Sequence, residues 1–476
     1  MSINKFLVIT SFIWKLLERS GTQIILFIVT IILARLLTPD DYGTVALVMV
    51  LISLATVFVE GGLNTALIQK KDSDQTDFST IFYFSIFISF IVYILVYISA
   101  PFIAIFYGKP ELELVVKILG ICLFFNAVNS VQRAYLYKKM LFKKLFLSSF
   151  TGAVISASIG IYMAYQGFGI WSLVVQQLVL SALTTLVMWL TVKWRPILAF
   201  SKTRFFSLFN FGWKIFLSNL SISLFVNIRS LIIGRIYNPS SLAYFDRGKH
   251  FPSLIMDNIN SSIQAVMFPI LSKEQDDVDV VKIMVKKSTQ VSSYILYPIL
   301  LLLAVVAEPL TLILLTEKWI DIVPFIQIFC IANILTPIQN VNIEAIKSLG
   351  YSDITLKLEL VKKVIEVTIL VISVFIGVKA IAWGVVVYNG ICIYINLYPC
   401  KKLYNYGIIE QLKDNMTPCI LSIITALILV LLKLLELKPW EELILSTSSS
   451  IIIYIILSEM FKVTPYLYLK KIVLKH

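Results

Sequence analysis

Amide, hydroxyl and charged side chains recur at helical spacing inside the apolar stretches of this sequence. In 43–69, Ser53, Thr56, Glu60 and Asn64 stand at i, i+3, i+7 and i+11, which is one face of a helix. Ser253, Asp257, Asn260, Ser261 and Gln264 do the same in 243–271, as do Asn219, Ser223, Asn227 and Ser230 in 208–235. The stretch 112–137 carries Asn126, Asn129, Ser130 and Arg133, and 322–347 carries Asn333, Thr336, Asn340, Glu344 and Lys347. A charge near the middle of a membrane costs roughly 2.5–3.5 kcal/mol on insertion scales, so Glu60 and Asp257 are expected to face water or a partner. Single amides and hydroxyls have a plainer reading as hydrogen-bonded glue between helices. Whole stripes that include an acid favour a water-filled cavity.

Four cations, Arg229, Arg235, Arg247 and Lys249, fall at the ends of 208–235 and 243–271, on the side where basic residues are otherwise scarce. Arg35 holds the corresponding place in the first stretch. An arginine fork bonds two phosphate oxygens at once, so this grouping suits a diphosphate. The competing reading is that Arg35 and Arg235 only snorkel to the membrane surface. There is no GxxxxGK[ST] loop, so the chain is not expected to hydrolyse ATP. Work would come from an H+ or Na+ gradient, or from downstream consumption of a substrate. The two histidines are His250 and His476, and Cys122, Cys330, Cys392, Cys400 and Cys419 form no CxxC pair. No metal site, catalytic residue or cofactor is therefore expected.

Such side chains need elements that hold them. The chain has 476 residues, 58% of them hydrophobic and 14% charged, with a mean hydropathy of +0.88. Soluble domains carry about a quarter charged residues, and this little polar surface cannot cover a globule in water. About 14 stretches, from 12–36 to 443–462, reach the length of roughly 20 apolar residues that crosses a bilayer. Runs such as 24–34 and 420–432 are continuous, where a β-barrel would alternate. The expected class is an all-α polytopic membrane protein with short loops. The longest connection, 271–288, leaves no room for an outer catalytic domain, which argues against a membrane polymerase, ligase or acyltransferase. The net charge of +13 is dispersed between spans, so nucleic acid is not an expected partner.

With the N-terminus in the cytoplasm, most of the 41 Lys and Arg residues fall on the cytoplasmic side, most densely at 133–144 and 193–214. Both termini then lie inside, and the basic loops face anionic lipid headgroups. Lys15, Glu18 and Arg19 interrupt the first apolar run, so a retained helix is expected there rather than a cleaved signal.

An internal repeat is visible. Residues 31–39 read IILARLLTP and residues 231–239 read LIIGRIYNP, which aligns Arg35 with Arg235 and Pro39 with Pro239. Trp14-Lys15 aligns with Trp213-Lys214. Six spans separate equivalent positions, and an even number gives both halves the same orientation in the membrane. The expected organisation is two pseudo-symmetric six-helix lobes, 1–200 and 201–410, followed by two additional helices in 411–476.

Several segments resemble a known family. They are ILARLLTPDDYG at 32–43, GGLNTALIQ at 61–69, GFGIWSLV at 167–174 and Trp194-Arg195-Pro196. The second half adds Ile232-Ile233-Gly234-Arg235, Phe268-Pro269-Ile270-Leu271-Ser272 and Lys318-Trp319. From about residue 10 to 415 the chain is similar to the lipopolysaccharide and O-antigen flippase branch of the multidrug/oligosaccharidyl-lipid/polysaccharide exporter superfamily. The resemblance implies a MATE-like fold with spans 1, 2, 7 and 8 lining a central cavity. It implies the flipping, by alternating access, of an undecaprenyl-diphosphate-linked oligosaccharide from the inner to the outer leaflet of the bacterial cytoplasmic membrane. It also implies membrane lipids, a polysaccharide polymerase and glycosyltransferases as partners. Glu60 departs from the Asp that is commoner there, a conservative change. The cations would hold the diphosphate and the amides and hydroxyls the sugar. The candidate cavity residues are Arg35, Glu60, Asn64, Arg133, Asn227, Arg229, Arg235, Arg247, Lys249, Asp257, Asn260, Gln264, Asn340 and Glu344. The main alternative is a multidrug or small-molecule exporter of the same superfamily. Cationic drugs call for an acidic, aromatic cavity, whereas here Arg and Lys at least match the acids. The intramembrane charges argue against a mere scaffold.

Overall fold

The computed structural model describes residues 5–274 and 277–473. The side chains of Lys15, Arg19, Ser261, Gln264, Phe268, Pro269 and Ser272 lie outside the described set. The regular elements among the described residues are all helices, in two compact units, Met1–Ala243 and Tyr244–His476.

The first unit holds α1 (Lys5–Leu36), α2 (Pro39–Glu60), α3 (Leu63–Gln69), α4 (Gln75–Tyr107), α5 (Glu111–Gly120), α6 (Cys122–Lys138), α7 (Phe142–Tyr165), α8 (Ile170–Thr191) and α9 (Lys202–Ile236). The next helix, α10 (Pro239–Lys273), begins here and continues in the second unit. The second unit adds α11 (Val278–Val305), α12 (Ala307–Leu314), α13 (Val323–Asn333), α14 (Thr336–Ser348), α15 (Ser352–Val374), α16 (Val378–Leu397), α17 (Cys400–Tyr404), α18 (Ile408–Leu432), α19 (Pro439–Met460) and α20 (Thr464–Val473). The repeat and the contacts divide the chain at different places. By repeat α9 opens the second half, yet it packs on α2, α3 and α4.

Among the described residues ten helices are long and apolar enough to cross a membrane, or 11 if the pair Glu317–Asn333 and Thr336–Ser348, bent by 42°, is one span. The protein is therefore a multi-pass membrane protein. Three expected spans fall outside this set. In α1, Gly21–Leu36 is a shorter apolar helix among the described residues. In α10, Asp246, Arg247, Lys249 and Asp257 interrupt the apolar run, and in α15 Lys357, Glu359, Lys362, Lys363 and Glu366 do.

The repeat is a helix-stop, helix-start device. Ahead of α2 the Thr38 hydroxyl accepts from the Asp41 N–H at 3.2 Å, and the Thr38 N–H donates to Asp41 Oδ2 at 3.0 Å. Pro39 occupies the first turn, where its missing N–H costs nothing. Ahead of α10, Asn238 Oδ1 accepts from the Ser241 N–H at 2.7 Å, with Pro239 in the same place. Arg35 and Arg235 are the basic residues in the last turns of α1 and α9, where a cation offsets the helix dipole.

Glycines set how closely α2, α3, α9 and the start of α10 approach. A Cβ on Gly43 would fall on the Pro239 carbonyl. Gly62, at φ +68°, lies against the Gly212 backbone with no room for a Cβ. Leu47 fills the place a Cβ on Gly234 would take. The motif Trp194-Arg195 closes α8. Trp194 is buried among Phe78, Phe82 and Tyr135. The Arg195 guanidinium donates to the Trp189, Val192 and Trp194 carbonyls and lies 4.9 Å from the Trp189 ring. It thereby satisfies carbonyls the helix end leaves orphaned.

In the second unit α11 is the hub, packing on α13, α14, α18 and α20. A buried amide network ties α14 to α16–α18. Asn342 and Gln411 exchange hydrogen bonds at 2.8 and 3.0 Å, and Asn396 donates to Gln339 Oε1 at 2.9 Å. Tyr404 donates to Asn342 Oδ1. Tyr294 donates to Ser458 at 3.0 Å, and Tyr454 donates to the Tyr294 carbonyl at 3.1 Å, fastening α19 to α11.

Candidate functional site

The stripe read over 43–69 is not one helix face. After Glu60 the chain passes through Gly61 and Gly62, both in the left-handed region, and restarts as α3. Asn64 therefore belongs to a different helix from Ser53, Thr56 and Glu60. Glu60 is the last residue of α2, not a mid-span residue. A carboxylate at a helix C-terminus opposes the dipole, and the charge that bears on it is Arg133 of α6.

Within the first unit these side chains form a polar strip across three helices. The Asn227 amide of α9 reaches toward Ser53 Oγ of α2 at 3.5 Å, and bonds its own Ser223 carbonyl at 2.8 Å. The Asn126 amide of α6 donates to Thr56 Oγ1 of α2 at 3.2 Å. Toward one end lie Glu60, Arg133 and Asn64, whose Oδ1 is buried without a partner. Neighbouring groups on α6 are unsatisfied as well, namely Asn129 Oδ1 and both polar atoms of the buried Gln132. Membrane-protein interhelical hydrogen bonds contribute about 0.6 kcal/mol on average. That is little, so loss of these contacts alone would barely destabilise the fold.

Arg235 is placed elsewhere. It lines a cavity of about 610 Å³ together with Leu51 of α2, Phe102, Phe106 and Tyr107 of α4, and Leu231 of α9. Its guanidinium lies 4.6 Å from the centre of the Phe106 ring. The lining is otherwise apolar, so one cation stands over a hydrophobic slot. Sequence reasoning singled out Arg235 but missed Phe102 and Phe106. Nothing in their spacing marks them, because they join the site only through the packing of α4 on α9.

The other candidates fall as follows. Arg35 is exposed at the end of α1, and Arg229 is half-buried in α9. In the second unit Arg247 is half-buried and Lys249 and Asp257 are exposed on α10, while Asn260 keeps a buried Oδ1 without a partner. Gln264 lies outside the described side chains. On α14, Asn340 is half-buried, and the buried Glu344 accepts from Lys347 at 3.0 Å. The stripe over 322–347 is broken by the bend between α13 and α14, and the strongest polar contacts of α14 come from Gln339 and Asn342 instead.

The sequence pattern of the family described as polysaccharide biosynthesis protein matches residues 32–324, well over half of the chain. The chain belongs to this family. It is 24% identical over 325 residues to the succinoglycan biosynthesis transport protein ExoT of Rhizobium meliloti (strain 1021), covering 68% of this chain and 66% of that one. It is 25% identical to the teichuronic acid biosynthesis protein TuaB of Bacillus subtilis (strain 168), covering 63% and 62%. The chain thus spans just under two thirds of the length of these two relatives. With the lipopolysaccharide biosynthesis protein WzxC of Escherichia coli (strain K12) it shares 24% identity over 72% of this chain and 70% of that one. Among solved structures, the lipid II flippase MurJ in an inward closed conformation superposes with a TM-score of 0.75 at 14% identity, covering 94% of this chain and 98% of that one. An inward-facing MATE multidrug transporter gives 0.58 at 16% identity, covering 85% and 98%. The family member described here therefore has the MurJ- and MATE-like helical fold.

Proposed function

We propose that this protein flips an undecaprenyl-diphosphate-linked oligosaccharide from the inner to the outer leaflet of the bacterial cytoplasmic membrane during surface polysaccharide assembly. The observation that carries the reading is the Arg235 cavity. A polyprenyl diphosphate has an anionic head on an apolar chain, and this slot offers one guanidinium over an apolar, aromatic floor. The Asn227, Ser53, Asn126 and Thr56 strip supplies donors and acceptors of the kind sugar hydroxyls need. The relatives named for succinoglycan transport, teichuronic acid biosynthesis and lipopolysaccharide biosynthesis support a polysaccharide precursor as cargo.

With both termini cytoplasmic, the ends of α4 and α9 that form the cavity lie toward the outer leaflet. Arg235 would then receive the diphosphate as the load leaves. An H+ or Na+ gradient, or consumption of the flipped lipid by a polymerase, drives the cycle, and glycosyltransferases supply it. The candidates on α10 and α14 are proposed to contact the cargo from the second unit's own helices. Export of small molecules is the second reading, favoured by the fold shared with a MATE transporter. The cation over the cavity disfavours cationic drugs as its cargo.

The test is complementation of a deletion strain, with lipid-linked oligosaccharide assigned to its leaflet by an impermeant probe. Wild type restores outward lipid and surface polymer. Arg235→Ala is expected to leave the lipid inside and cut polymer at least tenfold at equal expression, while Arg235→Lys, which keeps the charge but not the fork, restores part of it. Full rescue by Arg235→Ala removes Arg235 from the proposal. A deletion strain with normal lipid and polymer overturns the flippase reading itself.

A further inference from the structure

The second unit carries a cavity that the flipping reading leaves unused. It has a volume of about 800 Å³ and lies where α16 and α17 turn into α18. Tyr394, Tyr398 and Ile408 form its walls, Ile409 its rim, and Lys401 and Lys413 its basic members. From this combination of charge, apolar lining and position we infer a binding site for an anionic glycerophospholipid of the surrounding bilayer.

The charge balance comes first. The acid in the lining is Glu410, and Lys282 of α11 holds it at 2.9 Å. Lys282 in turn lies 5.6 Å from the centre of the Tyr406 ring. Neither Lys401 nor Lys413 has an ion-pair partner among the described residues. Two ammonium groups thus remain for an incoming anion, and each basic residue near an anionic surface contributes about 1 kcal/mol of attraction.

The apolar part decides which anion. A soluble phosphate would have no use for an exposed hydrophobic wall. Tyr398 is 69% exposed and Ile409 70% exposed at the ends of helices that are themselves long and apolar enough to cross the membrane. Exposed tyrosines at such ends sit at the level of headgroup and glycerol. The volume falls in the range of small-molecule sites, roughly 300–1,000 Å³. It holds a phosphate headgroup with its glycerol, while the acyl chains lie along the apolar faces outside. The Lys/Arg distribution puts this end of α16 and α18 in the cytoplasmic leaflet. Gln411, next in sequence to Glu410 of the lining, exchanges hydrogen bonds with the buried Asn342 and fixes α18 against α14.

The experiment is native mass spectrometry of the purified full-length chain, titrated with phosphatidylglycerol, with phosphatidylcholine of the same acyl chains, and with inorganic phosphate as competitor. The double variants Lys401→Gln/Lys413→Gln and Lys401→Arg/Lys413→Arg are measured alongside. Both positions altered are exposed lysines, and a thermal melt in detergent checks that each variant is folded. Wild type should retain phosphatidylglycerol adducts at least tenfold more strongly than phosphatidylcholine. The Gln variant should lose that preference and the Arg variant should keep it. Equal retention of the two lipids, an unchanged preference in the folded Gln variant, or displacement of the lipid by millimolar phosphate would each overturn the inference.

Discussion

Residues whose partners can be named respond to substitution in distinguishable ways. Asp77 is fully buried and accepts from Lys70 at 2.8 Å on both oxygens, with Arg204 at 3.6 Å. It joins the α3–α4 turn to the start of α9. Asp77→Asn leaves Lys70 without its counterion, but Lys70 is 34% exposed and still reaches water. The expected loss is about 1–3 kcal/mol, seen as a lower midpoint of thermal unfolding in detergent. An unchanged midpoint would contradict the assignment. At Asp74 the Arg204 hydrogen bond, with the Asp77 and Thr76 backbone N–H groups, holds the carboxyl below its usual range. A depressed folded pKa means this contribution is present above the ordinary Asp value and is lost as pH falls through the folded one. Asp74 is half exposed, so screening keeps the effect to about 0.5 kcal/mol. Arg204→Gln should flatten only that acid limb of a stability–pH curve. By contrast, Asn227→Ala should leave stability within about 0.6 kcal/mol of wild type while cutting transport several-fold. Equal losses in both readouts would make Asn227 mere glue. Arg235 and the Asn227–Ser53 and Asn126–Thr56 contacts use residues that stood out in the sequence, because charge and polarity show against an apolar background. The aromatic walls around Arg235 did not, since one more Phe in an apolar helix carries no signal until its neighbour is known.

For the helices, glycine contacts set the geometry. The Cβ of Gly62→Ala would meet the Gly212 backbone, and the residue would sit at φ +68°, so both sterics and strain oppose it. The Cβ of Gly212→Ala would meet the end of the Leu63 side chain at 2.9 Å and the Gly62 and Leu63 backbone at 3.4 Å, a milder clash than at Gly62 and without the strained φ. Gly62→Ala should therefore reduce folded protein far more than Gly212→Ala, read as the monodisperse fraction after solubilisation. The reverse order would place the α3–α9 approach elsewhere. The positions of most spans were legible, because burying an uninterrupted apolar run in lipid leaves few alternatives. The break at Gly61-Gly62 was written in the sequence as two adjacent helix breakers, yet the polar periodicity ran across it and suggested one face. The α14–α18 amide network was illegible for a different reason. Asn and Gln can pair with any polar neighbour, and spacing along one helix does not say which helix comes opposite.

For the whole molecule, the proposed cargo chemistry, an anionic head on a long apolar chain, rests on the convergence of one cation and an apolar slot. That convergence is testable without a cell. The purified chain would be reconstituted into vesicles carrying a fluorescent undecaprenyl-diphosphate-linked oligosaccharide, and the fraction of lipid open to an external quencher or glycosidase followed in time. Movement across the bilayer should run well above that of protein-free vesicles, be lost with Arg235→Ala and be partly kept with Arg235→Lys. Movement no faster than in protein-free vesicles, with the protein folded and either gradient imposed, would contradict the flippase reading.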